Sequence, residues 1–234
     1  MPAHFFLPCE HTPQPGQALE LDAERSNYLI KVMRLSPGAQ IAGFDGRGTR
    51  LQCRLDSTRA KRALLTIEAA DFEPPPQYAS HLGLGVLKGA AMDRSIQLAT
   101  ECGATQISLV FSRHSNVNLS GPRLAAKQTH WHKVAIAAAE QSQRAYVPEI
   151  QVLSQWDTLC TDASVYLDIG GVRLGGLSLD EKSVFLIGPE GGWHEDERAL
   201  FAAHDLPGVG LGSAVLRAET MPASLLAVLD YVRG

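Results

Sequence analysis

Residues 183–220 read SVFLIGPEGGWHEDERALFAAHDLPGVGLGSAVLRAET. The apolar run Val184–Ile187 has the length and composition of a buried strand. GPEGGW follows it, and EDERALFAAH then reads as a helix with an acidic first turn, as the helix dipole favours. PGVGLG is a short strand. A second loop, LGSAVLRAET, leads into a last helix from about Thr220 to Val232. That helix is expected to turn Leu225, Leu229 and Val232 inward and to tolerate Pro222 in its first turn. Two consecutive units of strand, glycine loop and helix mark a parallel sheet covered by helices. Ligands of such sheets sit beyond the carboxyl ends of the strands. Glycines let backbone N–H and C=O groups meet a ligand with no Cβ in the way. Glu190 stands inside the first loop, and a fixed negative charge argues against a phosphate cradle.

Working outward, the same alternation continues upstream. HLGLGVLK (81–88), QISLVFS (106–112) and SVYLDIG (164–170) read as strands. AMDRSIQLATEC (91–102) reads as a helix stopped by Gly103. Residues 122–144 form a long helix with Trp131, Val134, Ala135 and Ala138 on one face. GGVRLGG (170–176) reads as a turn. The segment FEPPPQY (72–78) breaks this order, because three prolines continue neither a helix nor a central strand. Before it, QALELD, AQIAGFD, TRLQCRL and RALLTIEAADF are short, partly alternating runs, with Asp45-Gly46 as a hairpin signal. One helix over 23–34 places Tyr28, Leu29, Val32 and Leu35 at helical spacing before Pro37-Gly38 ends it. The predicted organisation is a small β-barrel at 1–72, a linker at 73–78 and an α/β domain at 79–234.

Apolar residues make up 45% of the 234 and charged ones 20%, an ordinary globular balance. No apolar run approaches the ~20 residues of a membrane span. The N-terminus lacks the basic and apolar regions of a signal peptide. Cys9, Cys53, Cys102 and Cys160 are too scattered for a disulfide framework or a zinc site. These features imply a cytoplasmic chain with reduced thiols, no membrane association and no metal. The net charge of −4 argues weakly against nucleic acid. Yet from Arg25 to Arg62 there are nine Lys or Arg against only Asp45 and Asp56, a stretch suited to a polyanion. Charge alone leaves solvated strand faces as an equal alternative. GLGVLKG (83–89) looks like a dinucleotide fingerprint, but Lys88 stands where its third glycine belongs, so an oxidoreductase reading has little support.

IGPEGGW (187–193) and LGSAVLRAET (211–220) resemble the paired signature of the RsmE family. These are SPOUT-class methyltransferases that modify N3 of a uridine in small-subunit (16S) ribosomal RNA. The resemblance extends through KGAAMDRSIQLATECGATQI (88–107), FSRHS (111–115), WHKVAIAAAEQSQRAYVPEI (131–150) and RSNYLIKVMRLSPG (25–38). It implies a PUA-like N-terminal β-barrel, an α/β methyltransferase domain tied in a trefoil knot, a homodimer, and S-adenosylmethionine (SAM) as methyl donor. The chain departs from the family pattern at Asn27, where a histidine is usual, and at Cys102. It departs again at His194, where a serine cap is common, and at Met221-Pro222.

The expected SAM pocket takes Leu186, Ile187, Gly188, Pro189, Glu190, Gly191 and Gly192 from the first loop. The second loop supplies Leu211, Gly212, Val215, Leu216, Arg217 and Thr220. Methylation at N3 requires an imide N–H to lose its proton and spreads negative charge onto O2 and O4, which an arginine stabilises. Arg217 is the first candidate for that role. Glu219 or Glu190 is expected to accept the proton or fix an arginine, a helix cap being the bland alternative. RNA phosphates are assigned to Arg25, Lys31, Arg34, Arg47, Arg50 and Arg54. Arg113 and Arg144 are further candidates for phosphates or a partner subunit. Two rival readings remain: a SPOUT methyltransferase with another target atom, and a non-enzymatic PUA-domain RNA-binding protein.

Overall fold

The computed structural model describes residues 4–9, 11–58, 62–115, 117–174 and 181–233. They form two compact units. The first comprises residues 1–75 with 139–147, and the second residues 76–138 with 148–234.

In the first unit five strands form one sheet: β1 (His4–Phe6), β2 (Ala18–Glu20), β3 (Gln40–Phe44), β4 (Thr49–Ser57) and β5 (Leu64–Phe72). Their order is β1-β3-β4-β5-β2, antiparallel except for the β1–β3 pair. Alternation in TRLQCRL buries Thr49, Leu51, Cys53 and Leu55, as a half-buried strand requires. Leu51, Cys53 and Leu55 pack with Phe5, Leu7, Leu29, Ile41 and Ile67. The β3–β4 turn is closed by Asp45, whose Oδ1 accepts the N–H groups of Arg47 (2.8 Å) and Thr49 (2.9 Å). At Gly48 (φ +104°) a Cβ would lie 2.2 Å from the Tyr146 hydroxyl, so no larger residue fits.

The helix expected over 23–34 is two pieces. α1 (Ala23–Asn27) is capped by Asp22, which accepts the N–H of Arg25 at 2.7 Å. A π-helical turn follows at Tyr28–Val32, closed by Met33 N–H to the Tyr28 carbonyl. Bonds five residues apart widen the turn, so the four apolar positions do not share one inward face. Leu29 is buried, whereas Tyr28 is 43% and Val32 63% exposed.

The second unit holds six strands: β6 (Ala79–Gly85), β7 (Gln106–Val110), β8 (Glu149–Leu153), β9 (Ala163–Arg173), β10 (Lys182–Ile187) and β11 (Gly208–Gly210). Every pair is parallel, in the order β11-β9-β10-β6-β7-β8. The helices are α2 (Ala90–Glu101), α3 (Gly121–Ser142), α4 (Asp157–Cys160), α5 (Glu195–Ala203) and α6 (Met221–Arg233). The last residues of α3, from Ala139 on, count with the first unit.

Several sequence expectations change here. β1, β8 and α4 carry no clear periodicity and were not anticipated. Gly170–Arg173, expected as a turn, belong to β9, while Gly175 and Gly176 of that segment lie outside the described residues. In α6 the buried stripe is Pro222, Leu225, Leu226 and Leu229, and Val232 is 55% exposed. No described helix is long and apolar enough to cross a membrane.

Candidate active site

β9, β10 and β11 are neighbours in a parallel sheet, so their carboxyl ends share one edge. The chain departing from that edge builds a cavity of about 580 Å³, a size suited to a small organic ligand. β9 contributes through an irregularity. Tyr166 pairs with Gly208, but the next pair is Val172 with Val209. The intervening residues bow out and bring Leu167, Asp168 and Ile169 to the cavity wall.

The GPEGGW loop is tied back to this bowed segment. The indole N–H of Trp193 donates to the Leu167 carbonyl at 2.7 Å. Its ring packs edge-on against Trp156 (5.0 Å) and Phe201 (4.8 Å). Two glycines of the loop meet close neighbours. A Cβ at Gly188 would lie 3.2 Å from the Trp193 ring, and one at Gly191 2.8 Å from the His114 Cβ. Both positions are therefore tight for any side chain, and both line the cavity.

Of the residues assigned to the pocket from sequence, Ile187, Gly188, Pro189, Glu190, Gly191, Gly192, Leu211, Gly212, Val215, Leu216 and Arg217 line the cavity. Leu186 does not: it is fully buried and packs among Val110, Trp156 and Phe201. Nor does Thr220, whose N–H donates to the Arg217 carbonyl and whose own carbonyl accepts the Ser224 N–H. Sequence reasoning missed Asp168, Trp193 and Arg198, all on the wall, which Met221, one of the departures from the family pattern, also lines. Asp168 ends the apolar run VYLD, a signal that could have singled it out. It receives both guanidinium N–H groups of Arg198, one at 3.0 Å. That hydrogen bonding pushes the Arg198 pKa up despite partial burial.

The candidate catalytic groups differ in setting. Arg217 is 86% exposed and stands 3.8 Å from Glu219, which is only 20% exposed. Glu190 is exposed, with no hydrogen bond or ion pair among the described residues. It does not cap α5. His194 does, its Nδ1 accepting the Asp196 N–H at 3.2 Å, and Glu197 completes a capping box by accepting the His194 N–H at 2.9 Å. The histidine therefore does not weaken the helix start.

Glu197 was also missed. Buried at 6% exposure, it accepts through Oε1 from Ser112 Oγ (2.7 Å), Arg113 N–H (3.0 Å) and Trp156 Nε1 (3.0 Å). Burial alone would raise its pKa. The bonds from Ser112, His194, Arg113 and Trp156 outweigh burial and hold it below the usual carboxylate value. Glu197 thus joins the turn after β7 to the start of α5. Arg113 leaves that turn 3.9 Å from Asp196.

Five arginines of the basic stretch face carboxylates. Arg25 pairs with Glu140, Arg47 with Asp45 (3.7 Å), Arg50 with Glu73 (2.6 Å), Arg54 with Asp56 and Glu68, and Arg62 with Glu20 (2.7 Å). Lys31 and Arg34 are exposed and make no ion pair among the described residues. Arg144 belongs to the first unit, where its N–H donates to the Ala139 carbonyl. All four cysteines are free. Burial pushes Cys53 up to about 12 and Cys160 up to about 11, so neither is a ready nucleophile. Among the described residues no cluster of three or more His, Cys, Asp or Glu could hold a metal.

Comparison with known proteins agrees with this geometry. A family model described as an RNA methyltransferase domain matches residues 73–230, and an RNA methyltransferase PUA domain matches residues 21–68. Ribosomal RNA small subunit methyltransferase E of Bacillus subtilis is 28% identical, covering 99% of this chain and 96% of its own. The Neisseria gonorrhoeae protein of the same name, solved bound to S-adenosyl methionine, superposes with a TM-score of 0.88 at 28% identity, covering 99% and 98%. A Legionella pneumophila protein solved in complex with SAM superposes with a TM-score of 0.91 at 25% identity, covering 99% and 98%. The chain belongs to the RNA methyltransferase family that includes the ribosomal RNA small subunit methyltransferases E.

Proposed function

We propose that this protein uses SAM to methylate N3 of one uridine in small-subunit (16S) ribosomal RNA. The observation that carries the reading is the cavity built by the bow in β9 and the loops that follow β10 and β11, with glycine-rich lining and a carboxylate in each of the two loops. The residues present fit SAM. Ile187, Leu216 and Met221 offer apolar surface to an adenine, and the Gly188–Gly192 and Leu211–Gly212 backbones offer hydrogen bonds. Glu190 and Glu219 suit a ligand that carries positive charge. SAM supplies a methyl group on a sulfonium leaving group.

The protein's own part is to orient the acceptor and manage its proton. A uridine imide becomes nucleophilic when N3 loses its hydrogen. Glu219, sheltered and within reach of Arg217, is placed to take that proton. Arg217, free to extend, then steadies the charge that spreads onto O2 and O4. The target base must be unpaired or flipped out for its Watson–Crick edge to enter.

The finer architecture belongs to the same reading. A PUA-like barrel at 1–72 and a SPOUT domain at 79–234 are supported by the domain matches at 21–68 and 73–230. A trefoil knot accords with the family match over 73–230 and with Leu211, Gly212 and Ala214–Glu219 lining one cavity with residues of β9 and of the loop after β10. A homodimer is supported by the exposed apolar face of α6, where Tyr231 is 89% and Val232 55% exposed. A cytoplasmic location accords with the free thiols.

Calorimetry should detect SAM binding without RNA, and mass mapping should find one new methyl group at uridine N3 on unmethylated small subunits. No binding, or a methyl on another atom, would overturn the corresponding part. Arg217→Ala should lower turnover at least a hundredfold, in the range seen on removing a charge-stabilising donor, while changing SAM affinity little. Equal losses in both would make Arg217 a binding residue instead.

A further inference from the structure

The two halves of α3 have different surroundings. Trp131, Ala135, Ala138 and Ala139 are buried, whereas none of residues 121–130 is. The leading turns therefore contribute no core, although tertiary packing is what usually stabilises a helix. They are also of one sign. From Arg113 to Ala139 there is no Asp or Glu, while Arg113, Arg123, Lys127 and Lys133 are basic, on a chain of net charge −4. At helical spacing Arg123, Lys127 and His130 share one flank. On that flank His130 Nε2 meets Asp93 Oδ2 of α2 at 2.9 Å. Arg123 and Lys127 make no ion pair or hydrogen bond among the described residues. The first unit shows the opposite economy, since five of its arginines are neutralised by nearby carboxylates.

We infer that the first half of α3 is a second RNA-contacting surface, on the methyltransferase unit itself, with Arg123 and Lys127 holding phosphates of the substrate. This rests on the methyltransferase reading above. A flank of unpaired cations with no acidic neighbour in sequence is complementary to a polyanion. Ala125, Ala126 and Gln128, all exposed on these turns, present short or neutral side chains that do not oppose a phosphate backbone. A second copy of the same basic flank, met across a two-fold axis, would be repelled.

The test is the full chain carrying Arg123→Gln and Lys127→Gln, with small-subunit rRNA as the probe. The salt dependence of RNA binding should flatten by about 1.4–1.8 in log–log slope, the contribution of two phosphate contacts. KM for RNA should rise several-fold while the Kd for SAM stays unchanged. An unchanged slope and KM would overturn the inference. So would conversion of a dimer to a monomer, which would make these turns a subunit contact. Absence of methyl transfer by the wild-type protein, with the slope change intact, would sink the proposed activity and leave the RNA contact standing.

Discussion

Replacing Glu197 by alanine should destabilise the second unit strongly, because one carboxylate serves four donors. Ser112 Oγ, Trp156 Nε1 and the N–H groups of Arg113 and His194 all lose their acceptor. Ser112 and Trp156 are themselves buried, and a stranded buried donor costs about 1–3 kcal/mol. Taking about 2 kcal/mol for each of these two gives about 4 kcal/mol. At about 2–4 °C per kcal/mol for a unit of this size, the melting temperature should fall by about 8–16 °C. Glu197→Gln keeps one carbonyl oxygen for the Ser112, Arg113 and Trp156 donors but sets an amide N–H against the His194 N–H. It should cost about 1–2 kcal/mol. Acid supplies an independent check. A carboxyl held below its ordinary value of 4.5 adds stability that is fully present above that value and is lost as pH falls through the depressed one. The gap between wild type and Glu197→Gln should therefore narrow below about pH 4.5. Tryptophan fluorescence during thermal unfolding, at pH values from 7 to 3, reads both effects. Melting of Glu197→Ala within about 2 °C of wild type at pH 7, or a gap that stays constant in acid, would refute the reasoning.

Two further outcomes are expected. Gly191→Ala puts a Cβ 2.8 Å from the His114 Cβ and should raise the Kd for SAM by roughly tenfold, the lower end of overpacking costs. His114→Gly in the same chain should restore part of the affinity, and an unchanged Kd in the single variant would mean the loop yields freely. Replacing Lys31 and Arg34 by Gln should flatten the salt slope of RNA binding by about 1.4–1.8. Arg54→Gln should flatten it less, because Asp56 and Glu68 already hold that guanidinium; the reverse ranking would place the phosphate contact on the strand faces.

The alternation of strands and helices was legible because most elements of the second unit carry their own periodicity, as SVFLI and the helix around Trp131 do. What escaped was set by tertiary partners. β8 has no fully buried residue and only a half-buried face, so EIQVL shows neither strict alternation nor an apolar run. The π-helical turn at 28–32 obeys helical spacing in sequence, yet Tyr28 and Val32 face solvent. The bow in β9 that delivers Asp168 depends on a pairing shift against β11, a long-range event with no local signature. Charge counting has a similar limit. Of the nine basic residues between 25 and 62, five arginines pair with carboxylates, and four of those carboxylates, Glu20, Glu68, Glu73 and Glu140, lie outside that window. A run read without its spatial neighbours overstates the free charge. The same reasoning brings Arg123 and Lys127 forward, because no carboxylate among the described residues pairs with either side chain.

Glu190 shows how the structure narrows a choice that sequence leaves open. In GPEGG it had three possible duties: to cap the next helix, to fix an arginine, or to meet a ligand. Capping is already done by His194 and Glu197. Of the arginines on the cavity wall, Arg198 is held by Asp168, and Arg217 stands nearest Glu219, at 3.8 Å, rather than Glu190. Glu190 stays on that wall with no bond among the described residues. An exposed carboxylate there repels an anion and attracts a cation. Of the small ligands an RNA methyltransferase handles, SAM is the one that carries positive charge on a sulfonium and an ammonium group, whereas the RNA brings only phosphates. On the function proposed above, the loop would disfavour phosphate by charge and offer SAM its glycine backbone.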